Sequence, residues 1–222
     1  MILGIETATS SCSVALVEEK TGKVISFRSV VEKNIHSEKL LFFTDEIICD
    51  AKITLQQISK VAVSIGPGSF TGLRIGLSAA KGFASALNIP IVPIPTLDGL
   101  IHFALQEKII ESNSKVIAMI STKREEAYFA KYNISDSFQR ISTYEIGPII
   151  DIFQQNKDAK FLFSKEWNAS KEINAEENKI ILPCSAISIA KLAIRTEYLE
   201  LKEFSELEPM YLRNFEPKIN IK

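Results

Sequence analysis

The sequence has 222 residues, of which 46% are hydrophobic and 24% are charged. These proportions are typical of a globular protein with one large domain or two small ones, and they exclude disordered, collagen-like and disulfide-framework classes. Because 26 basic residues nearly balance 27 acidic ones, the chain lacks the overall positive charge that draws a protein onto nucleic acid unaided. Any RNA-related role therefore depends on a local patch or on a partner.

The apolar stretches of the sequence do not predict export or insertion into a membrane. Residues 1–5 are apolar, but no basic residue precedes them and Glu6 follows at once, so a secretory signal is not expected. Residues 82–97 carry no charge, but prolines interrupt them and they are too short for a spanning helix of about 20 residues. We therefore expect a cytoplasmic protein whose three cysteines are reduced thiols in the core.

The first hundred residues predict three strands and then alternating strands and helices. Strands are expected at 3–5, 13–17, 23–31, 61–65 and 91–94, and helices at 38–50, 73–87 and from 97 onward. Ser37 and Thr96 are predicted to cap the first and third helices, because a hydroxyl group there accepts a hydrogen bond from a free N–H group. Hairpin strands followed by this alternation predict a mixed sheet with helices on its faces.

The helix predicted at 38–50 carries two apolar stripes instead of one. The first stripe is Leu40, Phe43 and Ile47, and the second is Leu41 and Ile48. A sheet covers one face of a helix, so we expect part of this surface, together with the neighbouring His36, to contact a partner.

The helix predicted at 73–87 follows the glycine-rich segment Gly66-Pro67-Gly68-Ser69-Phe70-Thr71-Gly72. Gly72, Gly76 and Ala79 leave one face of this helix nearly bare, so another backbone can approach it closely. Packing within the chain and contact with a partner both remain open for this face.

The second half of the chain predicts a weaker copy of the first. Strands are expected at 116–120, 127–134, 140–144 and 160–163, helices at 149–155 and 186–196, and an exposed polar loop at 165–179. Two such units in tandem predict an α/β protein with an N-terminal lobe at 1–100 and a smaller C-terminal lobe at 101–222. The boundary is expected between residues 94 and 115.

Two loops could hold a phosphate group. Three glycines in seven residues after a buried strand point backbone N–H groups toward an anion near a helix N-terminus, and the first turn of the chain is rich in hydroxyl groups. The candidate residues are Thr7, Ser10, Ser11, Gly66, Gly68, Ser69 and Gly72. The glycine spacing matches neither the lysine-bearing Walker loop nor the dinucleotide fingerprint, so tight backbone packing and turn chemistry remain open as alternatives.

Residues able to catalyse a reaction are scarce. His36 and His102 are the only histidines, and neither a metal-binding histidine pair nor a Ser/His/Asp triad can be assembled from the sequence. We expect a partly exposed His36 to order the turn before its helix, and His102 to lie half-buried on an apolar helix face. No catalytic residue and no metal site are therefore predicted.

Several segments of the chain form a recognisable pattern. They are Ile5-Glu6-Thr7-Ala8-Thr9, His36-Ser37-Glu38 with Leu40-Leu41, Ile65 to Gly76 with Ala80-Lys81-Gly82, and then Glu126-Ala127-Tyr128 and Tyr211-Leu212-Arg213. In order and spacing these segments resemble the TsaB (YeaZ) family, most specifically in the long glycine motif.

The resemblance implies an actin-like, Hsp70-like and sugar-kinase-like fold of two ribonuclease-H-like lobes. It also implies a partner, TsaD, which transfers a threonylcarbamoyl group to N6 of adenosine 37 in tRNAs that read codons beginning with A. The ATPase TsaE completes the assembly. ATP or ADP, metal and tRNA are accordingly expected to bind through the complex, and this chain is expected to have no cofactor of its own. When it is alone, the chain is expected to be able to form a homodimer.

The resemblance also offers a test for catalysis. TsaD holds its metal with an HxxxH pair, and the two equivalent positions here are Thr96 and Leu100. Leucine cannot ligate a metal and a neutral threonine hydroxyl is a poor substitute for imidazole, so transfer by this chain is not expected. A non-catalytic subunit is the leading hypothesis. A sugar-kinase-type enzyme using Glu6 and Asp98, and a peptidase, are the alternatives.

Overall fold

The computed structural model describes residues 1–32, 34–122, 125–164 and 179–212. Its strands are β1 (Ile2–Glu6), β2 (Ser11–Val17), β3 (Val24–Val31), β4 (Lys60–Gly66), β5 (Ile91–Pro95), β6 (Lys115–Ser121), β7 (Glu126–Ile134), β8 (Phe138–Arg140), β9 (Glu145–Pro148), β10 (Lys160–Ser164) and β11 (Lys179–Leu182). Its helices are α1 (His36–Ala51), α2 (Phe70–Leu87), α3 (Thr96–Gln106), α4 (Ile149–Gln155) and α5 (Ala186–Leu192), with a short 3-10 helix at Leu55–Gln57. No helix in the described ranges is long and apolar enough to cross a membrane.

The strands form two mixed sheets with the same internal order. In the first sheet, β3-β2-β1-β4-β5, the first three strands are antiparallel hairpins and the last two run parallel to β1. In the second sheet, β8-β7-β6-β10-β11 repeat this arrangement, and β9 also pairs with β7. The two sheets and their covering helices confirm the expected α/β class and its tandem organisation.

Alternating side chains of each sheet face different helices. In the first sheet Leu3 belongs to the core shared with α1 and α2, whereas Ile2 belongs to the core shared with α5. In the second sheet Val116 belongs to the core with α3, and Ile117 to the core with α4. Both sheets are therefore covered on two faces, which explains why β1 is a continuous buried apolar run.

The two sheets exchange helices. Helix α3 follows the first sheet along the chain but packs on the second, where Leu97 and Leu100 share a core with Val116. Helix α5 follows the second sheet but packs on the first, so closely that a Cβ at Gly4 would lie 2.4 Å from the carbonyl oxygen of Ala186. Each sheet is therefore covered in part by a helix that follows the other sheet along the chain. The division of the chain at residue 100 stays a prediction.

Some predicted boundaries are wrong. Helix α1 begins one residue before Ser37 and α3 begins at Thr96 itself, so neither residue is an N-cap. Ser69 caps α2 instead, because its hydroxyl oxygen accepts a hydrogen bond of 3.3 Å from the Gly72 N–H group. The strand predicted at 140–144 is wrong as well, since β8 ends where it should begin and β9 starts after it.

The prediction for the cysteines holds for two of the three. Cys12 and Cys184 are buried, whereas Cys49 is exposed on α1. Burial, with the nearby Glu6 carboxylate, raises the pKa of the Cys12 thiol to about 12. The loop predicted at 165–179 lies outside the described residues except for its last member, which begins β11.

Candidate functional site

The two loops that are candidates for phosphate binding pack directly against each other. They meet because β1 and β4 are adjacent parallel strands, whose carboxyl ends lie at one edge of the sheet. A Cβ at Gly68 would lie 2.2 Å from the carbonyl oxygen of Ala8, and one at Gly72 would lie 2.1 Å from that of Thr7. These two glycines are therefore required for close packing inside the chain.

Hydrogen bonds at this junction use groups that an anion would need. The Ser69 N–H group donates to the carbonyl oxygen of Ala8 at 2.6 Å. The Thr7 hydroxyl donates to the carbonyl oxygen of Gly72 at 2.8 Å. The packing interpretation accounts for these contacts, and phosphate binding at these residues stays a prediction.

The other phosphate candidates also contact their own chain. The Ser11 hydroxyl lies 3.3 Å from the carbonyl oxygen of Cys184, to which it donates, and the carbonyl oxygen of Ser10 accepts from the Glu32 N–H group at 3.1 Å. Gly66 has a φ of 111°, a conformation that glycine adopts without strain. The structure thus brings all the candidates to one edge of the first sheet, where their contacts are structural.

His36 connects this junction to the start of α1. Its Nε2 atom lies 2.7 Å from the carbonyl oxygen of Thr9, and its side chain is buried. The histidine orders the turn, as expected, but the prediction that it is partly exposed is wrong, because its ring lies between the turn and the helix. Contact of His36 with a partner stays a prediction.

The surface that α1 exposes differs from the predicted one. Four residues of the two predicted stripes lie in the core of the first sheet: Leu40, Phe43, Ile47 and Ile48. These four residues are buried because α1 packs on β2 and β3 with α2 beside it, so more than one flank of the helix is covered. They do not form the exposed part of the stripes, and their contact with a partner stays a prediction. Leu41 is 60% exposed and its neighbour Phe42, which the stripe analysis missed, is 53% exposed. The ammonium group of Lys39 lies 5.2 Å from the centre of the Phe42 ring.

The bare face of α2 packs against its own chain. A Cβ at Gly76 would lie 2.1 Å from the Thr7 hydroxyl oxygen, and Ala79 packs on the core of the first sheet. Intrachain packing accounts for Gly72 and Gly76, and contact of this face with a partner stays a prediction. The spacing of small residues indicates close approach but does not identify the backbone that approaches.

The buried carboxylate of Asp98 accepts hydrogen bonds from three tyrosines. Its Oδ1 atom accepts from Tyr132 at 2.7 Å and from Tyr144 at 2.9 Å, and its Oδ2 atom accepts from Tyr198 at 2.9 Å. Burial raises the pKa of Asp98, and the three hydroxyl donors oppose that shift. No signal in the sequence predicts this cluster, because its members are 34, 46 and 100 residues from Asp98.

Other polar groups of a possible active site are also buried. One carboxylate oxygen of Glu6 accepts from the Ala8 N–H group at 2.6 Å, and both Thr96 and Leu100 are fully buried. In the described part of the chain, no three His, Cys, Asp or Glu side chains cluster in a way that could hold a metal ion.

Comparison with known proteins assigns the family. Residues 30–207 match the family described as "TsaD: tRNA N6-adenosine threonylcarbamoyltransferase". The chain is 30% identical to the "tRNA threonylcarbamoyladenosine biosynthesis protein TsaB" of Haemophilus influenzae over 96% of this chain and 93% of that protein. The chain belongs to the TsaB family. Escherichia coli TsaB is 32% identical to it over 96% of this chain and 94% of that protein.

Solved structures agree with a TsaB fold. "YeaZ from Pseudomonas aeruginosa" aligns with a TM-score of 0.74 at 23% identity, over 95% of this chain and 99% of that one. A polyphosphate/ATP-glucomannokinase from Arthrobacter sp. strain KM aligns with a TM-score of 0.50 at 11% identity, over 87% and 97% of the two chains. These similarities confirm the actin-like, Hsp70-like and sugar-kinase-like fold that the resemblance implies.

Proposed function

We propose that this chain is a non-catalytic subunit that binds TsaD in the complex that makes threonylcarbamoyladenosine in tRNA. Its full-length relatives carry TsaB names tied to that biosynthesis. In this proposal TsaD performs the transfer to N6 of adenosine 37 in tRNAs that read codons beginning with A. This chain supplies a surface that assembles and activates the complex.

The observation that carries the proposal is the exposed pair Leu41 and Phe42 on α1. The other large apolar residues of this helix, Leu40, Phe43, Ile47 and Ile48, are buried in the first core, whereas Leu41 and Phe42 remain in solvent. Contiguous exposed apolar surface favours a protein contact. A matching helix of TsaD would bury this pair, and a second copy of the chain could do so when TsaD is absent.

The chemistry of the buried carboxylates favours this role over a sugar-kinase-type enzyme. A kinase needs a carboxylate that is free to accept a proton from its substrate. Both oxygens of Asp98 accept hydrogen bonds from tyrosines, and Glu6 binds the backbone of Ala8. A peptidase has less support, because His36 is held by a carbonyl oxygen of its own chain.

The proposal extends to the remaining partners. ATP or ADP and a metal ion would enter the complex through TsaD and TsaE, with TsaE joining as a third subunit. tRNA would bind mainly through the assembled complex, since the formal charge of this chain is −1. The assembly would work in the cytoplasm.

The experiment that tests the interface pairs Leu41→Glu with Phe42→Glu. Burying each side chain contributes roughly 1.5–3 kcal/mol, so the double variant should bind TsaD at least about a hundredfold more weakly in sedimentation velocity. The matched control is Ile150→Glu with Ile181→Glu, two residues of the second sheet and its helix that are 51% and 52% exposed. Circular dichroism should show both double variants folded. Unchanged affinity of the α1 variant, or equal losses in both variants, would contradict this interface.

A separate experiment tests the non-catalytic role. The purified chain is incubated with threonylcarbamoyl-adenylate and tRNA, with and without TsaD. We expect modified adenosine only when TsaD is present, because the positions equivalent to its histidine pair are Thr96 and Leu100. Modification of tRNA by this chain alone would refute the role.

A further inference from the structure

A basic hollow lies in the second lobe, away from the α1 surface. It is a cavity of about 160 Å³ between the start of β6, the middle of β7 and the segment that follows α4. Lys115, Lys131 and Lys157 all line it, together with Asn156 and a single acidic side chain, Asp158. Its cationic lining contrasts with the formal charge of −1 of the whole chain.

The strand register explains why two of these lysines share one face. Lys131 pairs with Ile117 across the antiparallel ladder of β6 and β7, and Lys115 lies two residues before Ile117 on the same side. Such diagonal neighbours have Cβ atoms roughly 7–8 Å apart. Because Ile117 belongs to the core covered by α4, both lysines lie on the α4 face, where Lys157 follows the end of that helix.

These ammonium groups have no carboxylate partner among the described residues. The ion pairs found in those residues involve other cations, and Asp158 lies within ion-pair distance of none of the three lysines. Like charges that share a small hollow repel one another, and an anion bound between them relieves that repulsion. A lysine cluster with a nearby amide group is the kind of donor set that contacts phosphate oxygens of nucleic acid.

We propose that this hollow, defined by Lys115, Lys131 and Lys157, contacts the phosphate backbone of tRNA. The inference rests on the proposed function, which makes tRNA the polyanion that the complex must hold. The hollow belongs to the second sheet and α4, whereas Leu41 and Phe42 belong to α1 on the first sheet. A protein partner on α1 and an RNA backbone on the hollow therefore use different surfaces of the chain.

The test measures tRNA binding by the purified chain, through fluorescence anisotropy across about 50 to 200 mM salt. The test variant replaces Lys115, Lys131 and Lys157 with Gln. The control variant replaces the exposed Lys20, Lys23 and Lys202 with Gln, which removes the same charge from the first sheet and the later chain. Log affinity falls as log salt concentration rises, and each lost phosphate contact makes this slope less steep by about 1. The slope of the test variant should therefore be less steep by about 3, and that of the control should be nearly unchanged.

Three results would overturn the proposal: no tRNA binding by the unaltered chain at the lowest salt, an unchanged slope in the test variant, or equal losses in test and control. Circular dichroism of each variant checks that a loss of tRNA binding is not caused by unfolding. TsaD affinity is measured on the same proteins and should be unchanged in the test variant. A chain that fails to bind TsaD but binds tRNA through these lysines would refute the proposed interface and leave this inference standing. A chain that binds TsaD but does not bind tRNA through these lysines would refute this inference and leave the interface standing.

Discussion

The two sheets share a strand order but differ in the helices that cover them. Along the chain, the first sheet inserts the 16-residue helix α1 between β3 and β4, whereas the second inserts β9 and the 7-residue helix α4 between β8 and β10. The long helix presents exposed leucine and phenylalanine side chains, and the short one leaves a lysine-lined hollow beside it. The comparison indicates that the sheets provide a common frame, and that their covering elements determine which partner each lobe can contact.

The two lobes are nevertheless not independent. Helices α3 and α5 each cover the sheet of the opposite half, and Gly4 and Gly99 allow α5 to pack closely on its neighbours. The Asp98 cluster ties α3 to β7, to the segment before β9 and to the chain after α5. Substitutions in the shared elements should therefore affect the whole molecule more than substitutions within one lobe.

The largest effect is expected from Asp98→Ala, which removes the acceptor that joins α3 to β7, to the segment before β9 and to the chain after α5. The buried hydroxyl of Tyr132 and the part-buried hydroxyls of Tyr144 and Tyr198 would lose their partner. An unsatisfied buried group costs about 1–3 kcal/mol and the part-buried ones less, so the free energy of unfolding should fall by at least about 3 kcal/mol. Tyr144→Phe is the control, because it removes one of the three bonds and should cost about 1 kcal/mol. Urea unfolding followed by circular dichroism measures both. Equal small losses in the two variants would contradict a role for Asp98 as the shared acceptor of the three tyrosines.

The next effect is a pH dependence from His102, which lies on α3 and is buried, not half-buried as predicted. Burial, and the nearby charges of Lys191 and Arg195, lower its pKa to about 4 from an ordinary value of 6.5. Between about pH 6.5 and pH 4, His102 of the unfolded chain binds a proton that the folded chain does not bind. The contribution of His102 to stability is therefore fully present above pH 6.5 and is lost as the pH falls to about 4. The loss amounts to about 3 kcal/mol.

The measurement for His102 compares urea unfolding of the protein and of His102→Gln at pH 7 and pH 4.5. We expect the variant to lose less stability on acidification, because it has no imidazole to protonate. Asp98 acts in the opposite direction, since its raised pKa means that its contribution declines as pH rises. Parallel curves for the two proteins would refute the assignment to His102.

The smallest effect concerns the first lobe alone. In Gly76→Leu the new Cβ atom would lie 2.1 Å from the Thr7 hydroxyl oxygen. This overpacking should lower the free energy of unfolding by about 1–3 kcal/mol. Gly82→Leu on the same helix is the control, because a Cβ there meets nothing within 4 Å and the change favours the helix. If the melting temperature of Gly76→Leu matches that of the control, close packing does not explain the glycine.

Local pattern was sufficient to predict the helices, the five strands of the first sheet and β6, β7 and β10 of the second, but not β8, β9 and β11. Apolar runs bounded by turns, and helical spacing of apolar residues, reflect contacts between residues close in sequence, so β1, β4, α2 and α4 were expected near their observed positions. The glycine motif likewise predicted a close backbone approach, because only glycine leaves that space empty. The same motif carried the resemblance to the TsaB family.

Tertiary structure alone decided which surfaces are free and which groups meet. The apolar stripes of α1 did not reveal which residues face outward, because α2 and β3 cover its flanks. Ile48 is buried there, and Phe42, which belongs to neither stripe, is exposed. The partner backbone of Gly76, the tyrosines around Asp98 and the lysines of the hollow come together from distant parts of the chain. Periodicity reports which side of an element is apolar, whereas long-range packing determines what covers that side.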